Sequence, residues 1–218
     1  MRTLLAAFLG CVLAAALPPV EAEALSFHAD YRASTFQVAA GNTYAQILAA
    51  FLAGAPLASV TMTGLENASA QASAGVTTNY GILLTATLAP TATGSWTFQA
   101  GVDWGRGGVA AVIDNQTGTV VQQTVKTGDL WWNNSWVDPD VFTTTITLTA
   151  NRSYSLVWLG FEDCCGGVTT IRFSYQGSAY QNLNTTNATP LVIPEPEVAA
   201  LLGTGLAALS RRRRATTA

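Results

Sequence analysis

The chain has 218 residues, 49% of them hydrophobic and only 11% charged, with a formal net charge of −3. Four of its ten basic residues are one run, Arg211 to Arg214, so residues 25–190 hold nine acids against five bases. A body of that size suits one domain with one core, and the lack of a basic stripe argues against a nucleic-acid binder.

Residues 1–24, "MRTLLAAFLGCVLAAALPPVEAEA", read as a signal peptide. Arg2 gives a positive start, residues 4–16 are apolar, and "AEA" fits a small-x-small cleavage site. The run is too short to cross about 30 Å of hydrocarbon. "LSFHADY" follows as a strand, and His28 on it reads as structural. "NTYAQILAAFLAG" (42–54) predicts a short helix with an Asn or Thr start and a Gly stop, and "ASVTMTGLE" another strand.

From residue 76 the pattern is strand after strand. "GSWTFQAGV" alternates Trp96, Phe98, Ala100 and Val102 with polar residues, and "VFTTTITLT" alternates Phe142, Ile146 and Leu148 with threonines. "TTNYGILLTATLAP", "VAAVID", "TVVQQTV", "SYSLVWLGF" and "VTTIRFSY" complete the series. Period-two alternation with regular turns predicts an all-β, antiparallel β-sandwich with one short helix near its start, as domain 25–182.

Antiparallel succession puts alternate connections at opposite ends. The connections "NQTG" and "ANR" fall at one end. "DWGRGG", "KTGDLWWNNSWVDPD" and "EDCCGG" fall at the other. That end collects Trp104, Trp131, Trp132 and Trp136 with Asp103, Asp138, Glu162 and Asp163. Flat aromatics and carboxylates on loops suit sugar binding, so these eight are the candidate ligand residues. A packed plug over the open end of the core is the competing reading.

Cys164 and Cys165 are adjacent, and Cys11 belongs to the signal peptide. An exported chain favours oxidation. A bond between neighbours closes almost no loop and cannot staple the fold by chain entropy. It would stiffen the hairpin tip, with Gly166 and Gly167 supplying left-handed backbone. Intermolecular pairing, a soft metal held with Glu162, Asp163 or His28, and free thiols stand as alternatives. No zinc-type spacing is present, and no metal is expected.

Residues 183–193, "LNTTNATPLVI", read as a polar linker. Beyond it come Pro194, Glu195 and Pro196, an apolar run from Val198 to Leu209, and Arg211, Arg212, Arg213 and Arg214. The run is short of the ~20 residues of a comfortable span, and clustered arginines stay cytoplasmic. This reads as a sorting signal with a short helix (194–214), so a targeting helix stands at each end of the chain.

That order of Pro-Glu-Pro, short helix and arginines resembles the C-terminal signal of PEP-CTERM proteins of Gram-negative bacteria. The resemblance implies sorting by an exosortase and transient membrane contact through the C-terminal helix. It implies residence at the cell surface or outside the cell, commonly with exopolysaccharide. Cys164, Cys165, Gly166 and Gly167 match a Cys-Cys-x-Gly motif of a narrower group of such proteins. "TGSWTF", "IDN" and "LTANRSY" are similar to strands of the protective-antigen-type domain, a jelly-roll-like sandwich that is often carbohydrate-binding. Calcium is implied where that family carries paired acids in its first loop. Here Asp103 is followed by Trp104, which departs from that pair, so no cofactor is expected and calcium stands as the alternative.

No Gly-x-Ser-x-Gly or His-Glu-x-x-His occurs, and Lys126 is the single lysine. The expected function is an exported, non-catalytic protein associated with carbohydrate or exopolysaccharide. A matrix or adhesion protein without a specific ligand is the alternative, and a glycan-processing enzyme using a pair of loop carboxylates is the third reading.

Overall fold

The computed structural model describes residues 25–192. The expected signal peptide (1–24) and the expected sorting signal (194–214) lie outside the described residues. The described residues contain thirteen strands and three α-helices. They begin with β1 (Ser26–Ala33), α1 (Tyr44–Leu52), β2 (Pro56–Met62), β3 (Ala68–Ser69), α2 (Ala70–Ala74) and β4 (Tyr80–Leu88). Next come β5 (Gly94–Gly101), β6 (Asp103–Trp104), β7 (Gly108–Asp114), β8 (Thr119–Lys126) and β9 (Leu130–Trp131). The series closes with β10 (Phe142–Leu148), β11 (Tyr154–Glu162), β12 (Val168–Tyr175), β13 (Gln181–Asn182) and α3 (Thr185–Ala188).

The strands form the antiparallel sandwich expected from the alternation. One sheet runs β2-β1-β4-β11-β7-β8 and the other β10-β5-β12-β13. Between them lie Phe27, Tyr31, Leu84, Trp96, Phe98, Trp158, Ile171 and Phe173, each at most 3% exposed. Trp96 carries an aromatic stack with Phe98 at 5.8 Å and Phe173 at 5.6 Å between ring centroids. Trp96 and Phe98 are among the residues that the period-two pattern put on one side of their strand.

β11 breaks that pattern, because both of its faces are covered. Leu156 and Trp158 face the sandwich core. Val157, Leu159 and Phe161 face a second cluster under α1, with Ile47, Phe51 and Val38. A strand buried on both sides reads as a continuous apolar run, as "SYSLVWLGF" does.

α1 is held by a capping box. Thr43 Oγ1 accepts from the Gln46 N–H, and Gln46 Oε1 accepts from the Thr43 N–H at 2.9 Å. Thr43→Ala is expected to destabilise the protein by about 1 kcal/mol, read as a lower urea midpoint with an unchanged slope.

The expected linker at 183–193 is corrected. Leu183 and Ala188 are 0% exposed, and the Leu183 N–H donates to Ile171 O at 2.9 Å. Asn184 caps α3, and Val192 bridges Pro90. The polar composition of the stretch hides a spaced set of apolar anchors, Leu183, Ala188 and Val192, that dock on the sandwich. Among the described residues no helix is long and apolar enough to cross a membrane.

Candidate functional site

Three loops meet at one end of the sandwich. Asp103 stands opposite Trp131, and Trp104 opposite Leu130, in the two-stranded β6–β9 ladder. The Gly105 N–H donates to Glu162 Oε2 at 3.1 Å, which ties the first loop to the β11–β12 hairpin. Gly167 sits so close to the first loop that a Cβ there would lie 2.5 Å from Asp103 Cβ. A fourth segment joins them, since the Gly166 N–H donates to Thr77 O at 3.0 Å.

The four loop tryptophans have different places. Successive side chains of a strand point to opposite faces, and the short β6–β9 ladder divides its residues in that way. Trp104 and Leu130 turn inward, at 1% and 3% exposure. Trp104 fills the space over two glycines, where a Cβ would come within 2.5 Å (Gly108) and 2.0 Å (Gly160) of its ring. Trp104 is therefore core, with no face for a ligand. Trp131 turns outward and is 62% exposed. Trp132 lies flat on Gly101, on the outer face of the smaller sheet, at 8% exposure. Trp136 is half-buried, 4.5 Å from Trp132 between ring centroids.

The acids divide as well. Glu162 is 2% exposed, and its carboxylate also accepts from the N–H groups of Asp163 and Cys164, both at 2.9 Å. Burial pushes its carboxyl above the ordinary value, against the pull of those donors, and the Asp103 charge adds to the rise. Glu162 is a buried lock of the hairpin tip and does not reach a substrate. Asp138 Oδ1 accepts from the Asp140 N–H at 2.9 Å, and Asp140 Oδ2 from the Trp131 N–H at 3.0 Å, so both shape the loop that presents Trp131. Asp163 is exposed and Asp103 partly so. Burial, with the Asp129 charge, raises the Asp103 carboxyl. His28, on β1, hydrogen-bonds Ser59 at 2.9 Å and takes no part here.

Cys164 and Cys165 are bonded to each other, and both are exposed at the tip. The left-handed residues are Cys165 (φ +73°) and Gly166 (φ +67°). Gly167, expected to share that role, is instead required by its close approach to Asp103. Ligand atoms of Glu162, Asp163 and Cys164 fall within 4.8 Å of one another. The disulfide has consumed the Cys164 sulfur, and Glu162 already accepts three N–H bonds. Calcium takes six to eight oxygen ligands. With Trp104 in the core where a second acid would stand, these residues do not fit that ion.

Arg172, Gln99 and Tyr180 escaped the sequence reading. Arg172 is the sole charged residue in β10, β5, β12 and β13. That isolation was the available signal.

No family model matches the chain, and no curated protein matches it. Among solved structures it is similar to the PA14 sugar-binding domain from an RTX adhesin, with 16% identity over 75% of this chain and 97% of that one, at a TM-score of 0.46. It is similar to the PA14 domain of the MpAFP antifreeze protein, with 15% identity over 78% of this chain and 94% of that one, at 0.47. It is also similar to the epithelial adhesin 9 A domain from Candida glabrata, solved with Galb1-4GlcNAc, with 10% identity over 77% of this chain and 92% of that one, at 0.48.

Proposed function

We propose that this protein is an exported, non-catalytic carbohydrate-binding protein whose site is the loop-bearing end of the sandwich. One observation carries the reading: Trp131, 62% exposed, is held opposite Asp103 by the β6–β9 ladder. A large aromatic that the fold spends two carboxylates to present, one of them accepting its own backbone N–H, suits stacking on the C–H face of a sugar. Asp103 and Asp163 supply acceptors for its hydroxyls, and the disulfide stiffens the neighbouring rim. An exposed disulfide agrees with an oxidising, extracytoplasmic location. The residues at 194–214 support delivery to the surface of a Gram-negative cell through an exosortase.

Affinity electrophoresis through gels cast with single neutral polysaccharides tests the reading. Wild type is expected to be retarded by at least one, and Trp131→Ala to weaken that retention about tenfold while melting at the wild-type temperature. Unchanged migration of wild type in every gel, or of Trp131→Ala relative to wild type, would sink the proposal.

A further inference from the structure

Arg172 stands on the outer face of the smaller sheet. Its guanidinium lies over the Trp136 ring at 4.0 Å and over the Tyr180 ring at 4.2 Å, measured to the centroids. Gln99, its register partner on β5, holds it in the plane: Nε–H and an Nη2–H both donate to Gln99 Oε1, at 2.9 and 2.7 Å. Stacking on two faces and a fixed edge leave the group little freedom. No carboxylate lies within salt-bridge distance of it among the described residues, where the ion pairs are His28–Asp30 and Arg152–Asp114. A guanidinium has five N–H donors in a rigid fork, and the Nη1 edge makes no hydrogen bond among the described residues. Beside it run hydroxyls: Gln99 Nε2 donates to Thr143 Oγ1 at 3.2 Å, and Thr97 and Thr145 share a bond of 3.0 Å in the next row.

We propose that Arg172, clamped between Trp136 and Tyr180, is a receptor for the carboxylate of a uronic-acid polysaccharide, with the Thr97, Thr143 and Thr145 hydroxyls contacting its sugar hydroxyls. This is a second site, built on the outer sheet face and walled on one side by Trp136 of the loop that carries Trp131. A preorganised planar fork suits a carboxylate better than a mobile ammonium does. Electrostatics favour a local receptor over general attraction. Residues 25–190 carry nine acids against five bases, so the body as a whole repels a polyanion.

The test is retention of the exported protein by polygalacturonate, dextran sulfate and neutral dextran, each cast in a gel at low and physiological salt. Wild type is expected to bind polygalacturonate more strongly than either dextran. Arg172→Gln is expected to lose about tenfold or more of that binding. Gln99→Glu places a carboxylate against the guanidinium while keeping both stacks. It is expected to lose a similar amount with a melting temperature at or above that of wild type, which separates lost binding from lost folding. Three results overturn the proposal: wild type ignores polygalacturonate, dextran sulfate binds equally well, or Gln99→Glu binds as wild type does.

Discussion

Trp104→Ala is expected to cost about 3–5 kcal/mol of stability, the range for removing a large buried aromatic. The cavity should collapse poorly. The walls that face the indole are Gly108 and Gly160, which have no side chains to advance into the space, and Phe142 at 5.8 Å. At this domain size such a loss lowers the melting temperature by about 6–20 °C. Urea unfolding monitored by far-ultraviolet circular dichroism would show a lower midpoint at similar slope. The same experiment on Trp131→Ala is expected to show almost no change. An unaltered midpoint for Trp104→Ala would mean that the indole is not the plug between β6 and β11.

Glu162→Ala is expected to cost about 2–4 kcal/mol. It strips the acceptor from the N–H groups of Gly105, Asp163 and Cys164. A buried donor left without a partner costs about 1–3 kcal/mol. The sum is not reached, because Asp163 and Cys164 sit on an exposed tip whose backbone can turn to water. Amide hydrogen exchange at those three residues should accelerate first.

The effect has a pH signature. Burial, the largest influence on Glu162, raises its carboxyl above the ordinary 4.5. The folded state therefore holds this proton more tightly than the unfolded chain. The resulting contribution is fully present below pH 4.5 and is lost as pH rises through the folded value. The stability gap between wild type and Glu162→Ala should narrow as pH is raised across that interval. A gap that widens over the same interval would contradict the buried-lock reading.

Most of the sandwich was legible in the sequence, because a strand with one wet face must alternate. Phe142, Ile146 and Leu148 against Thr143, Thr145 and Thr147 left little choice. Chain-order parity then brought Asp103, Trp131 and the cysteine pair to one end before any geometry was known. The roles of individual loop residues were not legible, for a physical reason. Trp104 and Trp131 are both loop tryptophans beside polar residues, and only the β6–β9 ladder decides which turns inward. The same holds for Glu162 and Asp163: they are adjacent acids, and the last residue of β11 is sealed while the next is free. The Arg172 clamp joins β5, β12 and the loop before β10, a coincidence of register that no local pattern announces. Residues 183–192 misled because threonine and asparagine dominate, while three well-spaced apolar side chains set their place.

One topological detail governs how the molecule can be displayed. Ser26 pairs with Thr87 near the end of β4, and Val192 bridges Pro90 just past it. Tyr80, at the start of β4, pairs with Glu162 beneath the disulfide tip. The chain therefore enters and leaves the body at the same pole, and Trp131 and the cysteine pair occupy the opposite one. A tether at either terminus would act as a stalk. The sandwich would stand with its tryptophan-bearing pole directed away from whatever anchors it, and the Arg172 face would be turned sideways, toward neighbouring molecules.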